Sequence, residues 1–193
     1  MSASSIPGAS DTLVFLLKNQ LEARLGPSRD GYDVQLYRSA DFTSRPSGIV
    51  SLFLYRVDVD EARRFGDSPA VPPSQPATRW LGLELSYLLT VWGRESASGE
   101  QRMLQHCMEI LQEQAIVQGS WLHPNYPWEP DDALRISLAP MNHEDMIRLW
   151  DGFDLPYQLS IPYLVRTLRI AARPRDEGPV ISRALAIGSG RQP

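Results

Sequence analysis

The chain has 193 residues, 42% of them hydrophobic, which is enough for one domain with a real core and short extensions. Its formal net charge is −4, with acidic and basic residues interspersed, so no basic excess points to nucleic acid or to an anionic membrane. Cys107 is the only cysteine, which excludes an internal disulfide and a cysteine-based metal cage.

Residues 1–8 read as a flexible N-terminus. They lack the basic n-region and apolar h-region of a secretory signal, and the apolar run 13–17 is too short to cross a bilayer. Ser10 or Asp11 is the expected cap of a helix in which Leu13, Leu16, Leu17, Leu21 and Leu25 recur at helical spacing, ended by Gly26-Pro27. Val14 and Phe15 widen that stripe. A short strand is expected over 34–37 and a longer one over 49–59. In the longer strand Phe53, Tyr55, Val57 and Val59 alternate onto one side. Leu52 and Leu54 begin the other side, before Arg56 and Asp58 take over. Such a strand is buried on both faces at one end and wet at the other. "RRFGDSPAVPPSQPAT" then reads as an exposed loop.

The segment 79–93 alternates throughout, with Leu81, Leu83, Leu85, Tyr87, Leu89 and Val91 on one face. At about 3.3 Å per residue it would run roughly 40 Å or more, the width of the whole domain. A second helix is expected over 100–117, with Leu104, Cys107, Met108, Leu111 and Ala115 inward. After an aromatic and proline-rich loop, 133–139 reads as a strand with Leu134, Ile136 and Leu138 inward. Asn142 then caps a short helix carrying Met146, Ile147, Leu149 and Trp150. The last strand, 156–172, contains Pro162 and so is expected to lie on an edge there or to carry a bulge. This succession predicts an α/β (α+β) domain: one mixed, largely antiparallel sheet of long strands with helices packed on one face.

No motif of nucleotide binding, of a nucleophile elbow or of a zinc protease is present. His106, His123 and His143 are too scattered for a metal site, and Cys107 reads as a small core residue rather than a nucleophile. No catalytic, cofactor-binding or metal-binding residue is therefore expected. Two tryptophans and a tyrosine crowd the loop at Trp121, Tyr126 and Trp128. They form either a lid on the domain's own sheet or an anchor for a partner. Arg63 and Arg64, like Arg45, flank loops and read as solvated charges or as contacts to an acidic partner. Residues 174–193 form a tail whose Val180, Ile181, Leu185 and Ile187 would dock on another subunit, fold back or stay disordered. A small-molecule enzyme using His123, Asp131 and Asp132 is the weakest reading.

Taken in order, "VSLFLYRVDVDEARR", "RWLGLELSYLLTVWG", "EQRMLQHCMEILQEQAIV" and "ALRISLAPMNHEDMIRLWDGFDLPYQLSIPYLVRTLRI" resemble the terminator (cap) proteins of contractile injection systems. The likeness is to the N-terminal domain of the cap subunit of phage-tail-like virulence-cassette particles, over roughly residues 9–172, within a single terminator domain expected over 9–173. Its most specific pieces are "LFLYRV", "LELSYLLT" and "SLAPMNHEDMIRLW". The resemblance implies a tail-terminator-like fold and a non-enzymatic structural subunit without a cofactor. Such a subunit forms a ring, expected to be a homohexamer, on the distal end of an inner tube. It ends tube growth and holds the last sheath layer. Implied partners are other copies of the chain, terminal tube subunits and terminal sheath subunits, with neither nucleic acid nor membrane. Assembly in the cytoplasm, with release of the particle by cell lysis, follows from the same likeness. The alternative is a bacteriophage tail terminator or tail-completion protein.

Overall fold

The computed structural model describes residues 5–26, 32–60, 80–93 and 96–171. The elements run α1 (Ser5–Leu25), β1 (Asp33–Tyr37), β2 (Ile49–Val59), β3 (Trp80–Trp92), α2 (Ala97–Glu113), β4 (Ile116–Gln118), β5 (Ala133–Leu138), α3 (His143–Asp151) and β6 (Ser160–Ala171). One six-stranded sheet has the order β1-β2-β3-β6-β5-β4. Only β1 and β2 pair in parallel, so the sheet is mixed and largely antiparallel, as expected.

Helix α1 begins at Ser5, ahead of the cap the sequence suggested. Pro7 falls in its first turn, where a missing N–H costs no helical bond. Ser10 is therefore inside the helix and buried. Its hydroxyl donates to Ile6 O at 3.2 Å and lies 2.7 Å from the Tyr87 hydroxyl on β3. Leu13, Leu16, Leu17 and Leu21 are buried as the spacing predicts, while Leu25 is exposed.

Helix α2 starts where the Ser96 hydroxyl accepts from Gly99 N at 3.2 Å. It ends by Gln114, so Val117 is not helical but lies in the short strand β4. Its inner stripe is Met103, Leu104, Cys107, Ile110 and Leu111. Met108, expected inward, is exposed instead, because Met103 and Ile110 fill the stripe. Helices α1 and α2 together cover one face of the sheet. They pack on Leu83, Leu85, Tyr87, Leu89 and Val91 of β3 and on Val50 and Leu52 of β2.

The other face carries a second core. Phe42, Leu88, Trp92, Met146 and Trp150 are buried there, with Tyr37, Phe53, Tyr55 and Phe153 packed around them. The Asn142 side chain caps α3 by accepting from Asp145 N at 2.7 Å, as its position predicts. Met146 and Trp150, four apart, then present one apolar face to the sheet. The expectation of helices on one face thus holds for the two long helices, while α3 adds a partial third layer opposite them. It also means that Trp92 is spent inside the protein.

Two bulges shape the sheet. On β2 the register passes from Leu54↔Tyr87 to Arg56↔Ser86, which makes Tyr55 the extra residue. On β6 it passes from Arg166↔Glu84 to Leu168↔Leu83, which makes Thr167 the extra one. The first bulge reverses the alternation read from the sequence. Val57 and Val59 pair with Leu85 and Leu83 and so lie on the helix-covered face with Leu52 and Leu54. Phe53 and Tyr55 face α3. Pro162 pairs with Leu88 just beyond the last β5–β6 pair, Leu138↔Tyr163, so its ring falls where β5 has ended.

Candidate functional site

The aromatic loop after β4 is folded onto the start of α1. The Tyr126 hydroxyl donates to the Asp11 carboxylate, and His123 N donates to the Thr12 hydroxyl at 3.0 Å. The Trp128 indole donates to His123 O at 2.9 Å. The Phe15 and His123 rings meet edge to face at 5.3 Å. Gly8 lets this happen: a Cβ there would sit 3.0 Å from the Trp128 ring, too close to be accommodated without movement. Tyr126 and Trp128 are half-buried in these contacts, whereas Trp121 remains 37% exposed.

The polar groups of the same loop close its own turns. The Asp132 carboxylate accepts from Glu129 N at 2.8 Å, and His123 Nδ1 accepts from Asn125 N at 3.3 Å. Asp131 is exposed. Cys107 is fully buried, and burial pushes its thiol up to about 12, which removes thiolate chemistry at neutral pH. Among the described residues, no cluster of His, Cys, Asp and Glu could hold a metal ion, and no helix is long and apolar enough to cross a membrane.

Among the described residues, one end of the sheet runs on beyond its flanking strands. Strand β1 covers β2 only as far as Phe53, and β5 accompanies β6 only from Tyr163 to Arg166. Beyond those points β2, β3 and β6 continue together as three strands. On the helix-side face of this tip, Val57 is 45% and Val59 37% exposed. On its other face runs one row of charge. In register across four strands stand Asp58, Glu84, Arg166 and Arg135. Arg166 donates to Glu84 at 2.6 Å, and Arg56 pairs with Asp58 at 2.6 Å. The four residues of the row run from acidic on β2 and β3 to basic on β6 and β5, with Arg56 offsetting Asp58 at the acidic end. At the opposite sheet edge Ile116 and Leu138 are 53% and 58% exposed, although alternation placed Leu138 inward.

Of the interface residues read from the sequence, Tyr126 and Trp128 thus lie beside the start of α1, while Trp121 stands exposed at the beginning of the same loop. Arg63, Arg64, Val180, Ile181, Leu185 and Ile187 lie outside the described residues. The charged row escaped sequence reading, because nothing in one strand announces which residue of the next will stand beside it.

The family model of the Pvc16 N-terminal domain matches residues 10–183. No curated protein matches the chain. Among solved structures, the chain is similar to the PVC sheath/tube terminator, in its extended state, of an extracellular contractile injection system. The identity is 14% and the TM-score 0.61, over 97% of this chain and 64% of that one. It is also similar to the tube-terminating cap of the anti-feeding prophage. Here the identity is 16% and the TM-score 0.52, over 89% of this chain and 59% of that one. The chain therefore spans about three fifths of the length of the structures it matches.

Proposed function

The chain belongs to the Pvc16 N-terminal domain family, and from that premise we propose that it is a structural cap of a contractile injection system. In this reading copies of the chain close into a six-fold ring on the distal end of the inner tube. The ring stops tube growth and holds the last sheath layer. It works without catalysis and meets neither nucleic acid nor membrane. It is assembled in the producing cytoplasm and leaves with the particle when the cell lyses.

The observation that carries the reading is the family match over residues 10–183, joined to a fold shared with two terminators. The surface supports it physically. A ring needs two different faces per subunit that meet head to tail. The row Asp58, Glu84, Arg166, Arg135 has ends of opposite sign, which suits such a contact and fixes its register more than its affinity. Val57, Val59, Ile116, Trp121 and Leu138 supply separate exposed apolar points around the domain. Trp121, with Tyr126 and Trp128 fixing its loop, is one proposed anchor. Arg63 and Arg64, and the tail residues Val180, Ile181, Leu185 and Ile187, remain proposed contacts.

Electron microscopy and native mass spectrometry of the purified chain, alone and with assembling tube subunits, test the proposal. The expected result is six-fold rings, or a monomer that becomes a ring on tube ends, with tube length held uniform. A chain that stays monomeric and leaves tube length uncontrolled overturns it.

A further inference from the structure

Beyond Phe53, no described strand pairs with the outer side of β2, so among the described residues Leu54–Val59 form an unpaired sheet edge. Open edges of this kind template the addition of another strand. The place is shaped as well as open. At the end of β1 a groove of about 470 Å³ is lined by Leu36, Tyr37, Phe53 and Leu54, with Ser10, Arg38 and Ser39 as its polar wall. Leu36 is 44% exposed and stands in register with Leu52 on the helix-side face. Leu54, Val57 and Val59 extend that apolar line along the edge. The opposite face of the same stretch carries Arg56 and Asp58, paired with each other.

The chain itself contains a segment of matching chemistry. Residues 180–187 read VISRALAI, bracketed by Gly178-Pro179 and Gly188. In an extended conformation Ile181, Leu185 and Ile187 share one side, with Arg183 the exception. Val180, Ser182, Ala184 and Ala186 take the other. The bulky side suits Leu54, Val57 and Val59, and the small side suits the flank of Arg56 and Asp58.

The reach is sufficient. Strand β6 ends at Ala171, in register with Trp80, at the tip where Val59 stands beside Leu83. From there to a strand position outside β2 is three strand spacings sideways, about 14 Å, and roughly 10 Å back along the sheet. Residues 172–179 can extend over about 26 Å. Being part of the same chain, the segment is also present at a high effective concentration.

We infer that the open edge of β2 at Leu54–Val59 is a strand-acceptor site for residues 180–187 of the same chain, which would add there antiparallel to β2. The bound segment would extend the sheet beside β1 and cover Val57 and Val59.

Paired cysteines test this in the full-length chain. Val57→Cys is combined in turn with Ile181→Cys, Leu185→Cys and Ile187→Cys, and the oxidised proteins are sorted by mass. Buried Cys107 does not compete. A disulfide within one chain, favoured at one or two of the three positions, is the expected result. Cross-links only between chains would assign the edge to a second copy, and no cross-link would leave it without this occupant; either overturns the inference. Hydrogen exchange gives an independent reading. Leu185→Asp in the full-length chain, and truncation after Arg173, should each speed exchange of the 54–59 amides by about tenfold or more. If one variant fails to fold, the other and the cross-links still decide. Unchanged exchange at 54–59 in a folded variant overturns the inference.

Discussion

Cys107 and Tyr163 face each other across the helix–sheet layer, and burial raises both groups, each to about 12. In the unfolded chain a thiol ionises near 8.5 and a phenol near 10. Because the folded values are higher, their contribution to stability is whole below about pH 8.5. It is lost as pH climbs toward 12, since the unfolded state releases its protons first. The melting temperature should therefore fall steadily above about pH 9. Cys107→Ala should flatten the first part of that fall, at the cost of a small cavity. A melting temperature flat from pH 8 to pH 11 would contradict the burial of both groups. A second contrast concerns the two indoles of the α3-side core. Trp92 donates to the Ser51 hydroxyl at 2.8 Å, whereas the Trp150 indole nitrogen makes no hydrogen bond to a described residue. Trp150→Phe removes an unpaired buried donor, so it should cost less than Trp92→Phe by about 1 kcal/mol or more. Thermal denaturation of the two variants checks this.

Among the elements, the layer of α2 on β3 bears the larger core. Leu85 is fully buried and Leu111 2% exposed, so Leu85→Asp or Leu111→Asp should cost several kcal/mol and abolish soluble expression. A folded variant with an unchanged melting temperature would contradict the packing. Elements like these were legible in the sequence because their signal is local. The leucines of α1 keep helical spacing, β3 alternates over its whole length, and Asn142 caps α3 where a cap belongs. What was not legible depends on a neighbour. The extra residue Tyr55 is invisible until β3 lies beside it, and it moves Val57 and Val59 to the other face. Leu138 obeys the alternation of β5, yet nothing in the described structure covers it. Trp92 reads as surplus apolar surface until α3, which begins at His143, packs against it. At the candidate site, the crowding of Trp121, Tyr126 and Trp128 was visible, but not that Gly8 and Asp11 would hold two of the three.

For the whole molecule, the test of ring closure is charge reversal. If the acidic end of the row meets the basic end of a neighbour, Asp58→Lys and Arg135→Glu should each weaken ring formation about tenfold or more. The double variant should recover part of the loss. Sedimentation or native mass spectrometry at low salt would measure this. Two additive losses would show that the ends do not meet.

The sheet resists force differently along its strands and across them. Strand β3 is bonded along its length on both sides, to β2 and to β6. A pull along the strand axis loads those bonds side by side, so they must fail together. A pull across the sheet at β4, joined to β5 by only Ile116, Val117 and Gln118, opens its bonds one after another. In single-molecule stretching, traction along β3 should therefore require much the larger force. In the cap role proposed above, the subunit would bear recoil best with β3 aligned to the direction of thrust.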